Sequence, residues 1–406
     1  MCAPLLSWLA YRTQCRGVHC MPFAVSPCKR RCWSKTGVGS IHQLGTGLSV
    51  LGLVCFRTSR NASSFLDFIM PLLSICMPSN RDLSRSVKSI ESALAYAERV
   101  GAQLIISDNS GDPAKRAFLE GRSFNLRYIA SSDQDASANW MRALSSADTP
   151  FLLPMGDDDE IRFVEGHVPI DLASLPDDVA GVRPTTEIWT QSGSVLKTET
   201  FTIDAPAADE RLAEYNRKAE GNNSVYYSIF RTSLFVPLMR LFVDSHPTNG
   251  GYCDWAICLS LFTAGRMLHD PSLVYRYDLG RWADELDEMQ ASQYRKVGLP
   301  EHTADFFTFL MFLDLHIFSL RRSLPLAPEE RRRVFMMNCR VLLSDFLRQV
   351  RQSPEKFDKT VTYIAGLIAK EQDIDSIVQL SVLMTDCIQL GLKDRYIRFF
   401  QAAQNA

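Results

Sequence analysis

Apolar residues run through this chain in two rhythms that change places near residue 300. Before it, short unbroken runs alternate with helical spacing; after it, only helical spacing remains. LLSICM (72–77) is an apolar run ended by Pro78, which suits a buried strand. In LSRSVKSIESALAYAERV (83–100), Leu83, Val87, Ile90, Leu94 and Ala97 recur at three- and four-residue steps, and Gly101 closes the segment as a helix. AQLIISDNSGD gives a second strand ending in Asp108, Asn109 and a turn. LRYIA (126–130) gives a third, SANWMRALSSAD a second helix, and PFLLPM a fourth strand that delivers Asp157, Asp158 and Asp159. This order predicts an α/β fold whose sheet is mixed but mostly parallel and covered on both faces. In such sheets ligands sit outside the carboxyl ends of the strands, where these polar residues fall.

Farther along, NNSVYYSIFRTSLF has alternating, β-rich character and Gly250-Gly251 permit a turn. Residues 255–267 read as a helix and MLHDPSLVYRYD as a strand. From 300 to 406, four segments carry apolar residues at helical steps between Pro, Ser or Asp. The predicted organisation is an α/β domain over 70–285 and a helical C-terminal domain over 286–406.

Composition changes the picture at the start of the chain. Residues 1–69 hold eight basic residues against one acid, Asp67, so this segment is +7 and the rest of the chain −9. A body that acidic is a poor match for a nucleic-acid backbone. Six of the eleven cysteines also lie in the first 69 residues, and the others are scattered without paired spacing, as in a reduced, cytoplasmic protein. The leader has no regular period. It reads as sequence upstream of a natural start at Met70, against three alternatives: a transit peptide, a zinc site from His19, Cys20, Cys28 and Cys32, or a disordered basic arm. No run reaches the ~20 apolar residues of a membrane helix; GLSVLGLVCF is the nearest.

The adjacent carboxylates of Asp157, Asp158 and Asp159 repel one another, a cost that a hard divalent ion such as Mg²⁺ or Mn²⁺ would remove. A solvated acidic turn is the plainer alternative. Taken together, SICMPSNRD, IISDNS, Asn139 on a helix and ADTPFLLPMGDDDE resemble the family 2 glycosyltransferases of the GT-A fold. The likeness is close over 70–165 and weaker to about 280.

That resemblance implies a nucleotide-sugar donor, with UDP favoured, and transfer with inversion to a glycan or glycolipid hydroxyl in surface polysaccharide biosynthesis. Carried onto this sequence, Pro78 and Asn80 correspond to the first nucleotide-binding loop. Asp108 corresponds to the residue bonding base or ribose, Asn139 to a donor contact, and Asp157 to the diphosphate motif. Asp158 and Asp159 would face the metal, joined by His269, and Asp254 would be the catalytic base, with a helix N-cap as its plainer role. Where the family carries an acid at the first place of its metal motif, this chain has Gly156. Arg281-Trp282 echoes an element of processive synthases and otherwise reads as loop packing.

Two other classes compete. A nucleotidyltransferase needs a glycine-rich phosphate loop, and PSNRDLSRS has no glycine. A non-catalytic carbohydrate- or cation-binding module would not need to keep both the aspartates and Asp254. The helical region's basic runs, Arg321-Arg322 and Arg331-Arg332-Arg333, read as solvated faces or as a peripheral membrane contact. The same region is the expected surface for any homo-oligomer.

Overall fold

A computed structural model of the chain describes residues 70–132, 135–189, 194–219, 223–248, 254–278, 294–324 and 326–406. The expectations for residues 1–69, Gly250-Gly251 and Arg281-Trp282 lie outside these. Strand β1 (Leu73–Ser79) is almost wholly buried and pairs in parallel with β2 (Gln103–Asp108) on one side and β4 (Phe151–Pro154) on the other. Strand β3 (Leu126–Ala130) extends the parallel set beyond β2. Pro78 does not end β1, because the strand runs one residue farther. The neighbouring Cys76 carbonyl faces β4, where it accepts from Met155 N, and β4 stops at Pro154; the missing N–H of Pro78 falls past the end of that strand.

The rest of the sheet departs from the parallel expectation. Its strands are β5 (Glu160–Phe163), β6 (Val179–Trp189), β7 (Val195–Glu199), β8 (Ile229–Arg231) and β9 (Arg266–Asp278). The order is β3-β2-β1-β4-β8-β6-β9-β5, with β7 on β6. Half of the pairings are antiparallel: β4 with β8, β5 with β9, and β6 with both β7 and β8. β6 and β9 restore a parallel pair in the middle of this half. The sheet is mixed rather than mostly parallel.

Helix α1 (Leu83–Val100) starts where the Asp82 carboxylate accepts from Arg85 N and ends at Gly101, whose φ of 69° is the left-handed conformation that glycine adopts without strain. A short helix α2 (Pro113–Leu119) follows β2 where the sequence suggested only a turn, and α3 (Ala136–Ser145) precedes β4. α4 (Ala208–Ala219), α5 (Thr232–Ser245) and α6 (Asp254–Ala264) complete the first part. The stretch read as β-rich at 222–235 therefore holds a 3-10 turn at Ser224–Tyr226 and a short strand running directly into α5.

The C-terminal region is helical, as its pattern predicted. α7 (Phe307–Ser319) is followed by α8 (Pro328–Asn338), which passes through a π turn at Cys339–Leu343 into α9 (Ser344–Gln352). α10 (Lys359–Ile368), α11 (Ile374–Ile388) and α12 (Leu392–Ala403) close the chain; the sequence had not singled out α12. α7 packs on α6 and α8 on α4, so one hydrophobic core continues from Leu73 through Phe309 and Leu313 to Ala403.

Candidate active site

The carboxyl ends of β1, β2 and β4 carry one hydrogen-bonded cluster of charged groups. Asp157 is at its centre. One of its oxygens accepts from Ser79 Oγ at 2.7 Å and from the backbone N–H groups of Asn80 and Arg81, both at 3.2 Å. The Arg81 guanidinium closes the other side, 3.3 Å from Asp157 and bonded directly to Asp158. Lys115 of α2 is fully buried and donates to Ser79 Oγ, to the Arg81 carbonyl at 2.9 Å and to Asp108 at 3.0 Å. The second Asp108 oxygen accepts from Tyr128 OH at 3.0 Å, and burial followed by the nearby carboxylate pushes the phenol up to about 12.

These contacts fix where several of the expected site residues stand. Asp108 is buried with both oxygens engaged by the protein, so contact with a base or ribose would require releasing one of them. Asn139 is buried as well: its carbonyl accepts from Ser107 Oγ at 2.7 Å, and its amide reaches Asn109 Oδ1 at 3.3 Å and the Ser79 carbonyl at 3.4 Å. That is a brace between two strand ends. Pro78 is half-buried, and Asn80 is exposed at the site's mouth.

Asp159 turns into the sheet instead of outward. Its oxygens accept from Tyr275 OH at 2.7 Å and Asp278 N at 3.1 Å, and burial pushes its carboxyl up to about 7. The carboxylates also account for Gly156. A Cβ there would stand 2.7 Å from Asp158 Oδ1 and 2.9 Å from Asp159 Oδ2, so any larger residue would have to displace these carboxylates.

As a cation site, this arrangement does not fit a divalent ion. Asp157 and Asp158 already share the Arg81 guanidinium, Asp159 is sealed, and His269 is not with them. His269 sits nine residues before Asp278 on β9, with Nε2 3.0 Å from Thr185 Oγ1; burial, and secondarily Arg183, lowers its pKa. Among the described residues no three His, Cys, Asp or Glu side chains come together in a way that could hold a metal.

Asp254 and His269 instead border a second buried polar group that the sequence did not announce. Arg183 of β6 is fully buried; it bonds Glu199 of β7, donates to Ser224 Oγ at 3.1 Å and lies 3.8 Å over the Phe201 ring. Ser224 in turn donates to Glu199 at 3.0 Å. Asn223, beside Ser224, donates to Asp254 at 3.5 Å. Asp254 is the first residue of α6, and burial raises its carboxyl to about 7. A carboxyl that titrates near neutrality is suited to accepting and releasing a proton.

No protein-family profile and no curated protein matches the chain. Among solved structures, S. aureus TarS 1–349 is similar at 14% identity over 78% of this chain and 92% of that one, with a TM-score of 0.36. The same fragment in complex with UDP-GlcNAc gives 15% identity over the same shares and the same TM-score. A longer TarS chain is 16% identical, again with a TM-score of 0.36, and 55% of its length is covered. A likeness this loose leaves the chain's family and activity open.

Proposed function

We propose that this chain transfers a sugar from a nucleotide-sugar donor to an acceptor hydroxyl. The observation that carries the reading is the convergence of Ser79-Asn80-Arg81, Asp108 and Asp157-Asp158 into one cluster at the carboxyl edge of the parallel strands, where α/β sheets hold their ligands. The sequence motifs named above are the second support. In this reading the donor's diphosphate approaches the mouth beside Asn80. Arg81, partly exposed, exchanges its carboxylate partners for the diphosphate and stabilises the leaving group's charge. Asp254 takes the proton of the acceptor hydroxyl as it attacks the anomeric carbon, and a single displacement inverts that carbon.

A nucleotidyltransferase is less well supported for a specific reason. The N–H groups of Asn80 and Arg81, which would have to cradle a triphosphate, already point at Asp157. Calorimetric titration with UDP, run with and without Mn²⁺, tests the proposal together with mass spectrometry of products from a panel of nucleotide sugars. Saturable UDP binding that weakens in Arg81→Ala when Mn²⁺ is left out, and consumption of a nucleotide sugar, are expected. A chain that binds neither UDP nor any nucleotide sugar would refute it.

A further inference from the structure

Helices α7, α8, α11 and α12 enclose a groove of about 940 Å³, a size typical of small-molecule sites. Its floor is apolar, with Phe335, Val378, Val382, Leu383 and Ile397 along it. One end is different. His316 lines the groove there, 8% exposed, with its ring edge-on to Phe335 at 5.0 Å between centroids. Neither of its ring nitrogens has a hydrogen-bond partner among the described residues, and neither is sealed, so both are open to a molecule in the groove. Arg331 and Arg332 stand one helical turn before Phe335 and so on the same side of α8. Arg331 is committed to the carbonyls of Leu324 and Leu326, whereas Arg332 is exposed and makes no ion pair. Three cations and one acid, Asp375, line the groove, so its charge favours an anion.

We infer that the groove binds a single-chain amphiphile whose acidic head accepts the His316 N–H and pairs with Arg332, while its alkyl tail lies on Val378, Val382 and Leu383. A head of this kind would engage the imidazole N–H and Arg332 together. Burial lowers the imidazole's pKa to about 4, so it enters the contact neutral, as a hydrogen-bond donor. The tail covers side chains that are otherwise open to water, Leu383 at 49% and Ile397 at 41% exposure.

The test is titration of the full chain with dodecanoate below its micelle concentration, with dodecanol as the control lacking charge and acetate as the control lacking a tail. Saturable dodecanoate binding is expected, at least about tenfold tighter than either control. Arg332→Glu alters only an exposed side chain. It and Val378→Trp, which fills the floor, should each weaken binding about tenfold or more without lowering the melting temperature. His316→Phe should weaken binding, since it keeps the ring and removes the N–H that the head accepts. Absence of saturable binding, or equal affinity in Arg332→Glu and Val378→Trp, would overturn the inference. So would binding seen only with vesicles of anionic phospholipid, which would mean a surface contact, or a dimer that dodecanoate does not dissociate, which would mean that a second copy covers the groove.

Discussion

Asp254 is held in a state that costs the fold something. Its folded pKa of about 7 lies above the ~3.9 of a free aspartate, so the folded chain binds the proton more tightly than the unfolded one. That contribution to stability is complete below about pH 4 and is lost as pH rises through 7. Asp254→Asn should therefore melt at the parent's temperature near pH 4 and above it at pH 8. Sugar transfer should fall by about 10²–10⁴-fold in the same variant, with donor affinity almost intact, because a base acts mainly in the transition state. Transfer at the parent rate would move the base elsewhere. Arg81 makes the second residue-scale case. If its guanidinium occupies a cation's place between Asp157 and Asp158, Arg81→Ala should bind Mn²⁺ more tightly than the parent does in calorimetric titration. Equal binding would show that those carboxylates were never competing for a metal.

At the scale of elements, what could be read from the sequence depended on whether a segment's burial shows as an unbroken apolar run or as a helical period. β1, β2 and β4 show the first and α1 and α3 the second, and the polar residues at the strand ends marked where they stop. α2 is seven residues long and is held by a buried cation instead of an apolar face. No hydrophobic pattern announces Lys115. β6 was similarly opaque, because its buried Arg183 is paired with Glu199, sixteen residues away on β7. Asp112 adds a link no spacing could suggest: it caps α2 through Ala114 N at 2.9 Å and also accepts from Leu83 N at the start of α1, at 2.8 Å. The lysine is the stronger tie. Lys115→Met should destabilise the chain by about 3–5 kcal/mol in denaturant melts, since Asp108 would be left buried without its cation. A loss under about 1 kcal/mol would show that Tyr128 and Ser110 suffice to hold that carboxylate.

For the whole molecule, the change in hydrophobic rhythm near residue 300 marks a change of architecture without a break in the core. His246 at the end of α5 reaches Asp314 of α7 at 3.1 Å, and Tyr396 of α12 donates to the same oxygen at 3.0 Å, all three fully buried or nearly so. The helices thus hold the end of α5. A chain ending at residue 285 should consequently lack a cooperative melt, while the full chain unfolds in a single transition by calorimetry. A truncated chain that melts sharply would make the helical region a separate domain. Among the described residues no helix is long and apolar enough to cross a membrane.

The aspartate stretch has a mechanical consequence as well. Only residues 155–159 join β4 to β5, yet β8, β6 and β9 stand between those strands in the sheet. Laid flat, four strand spacings measure about 19 Å, nearly the full reach of the six Cα steps available, about 20 Å. The link is not stretched, since Asp159 N turns back toward the Gly156 carbonyl at 3.5 Å. The sheet must therefore wrap, with the acidic segment as the chord across its arc. Extra residues inserted there would slacken the arc and shift Asp157 away from Arg81, whereas the same insertion in 164–178 would only lengthen an outer excursion.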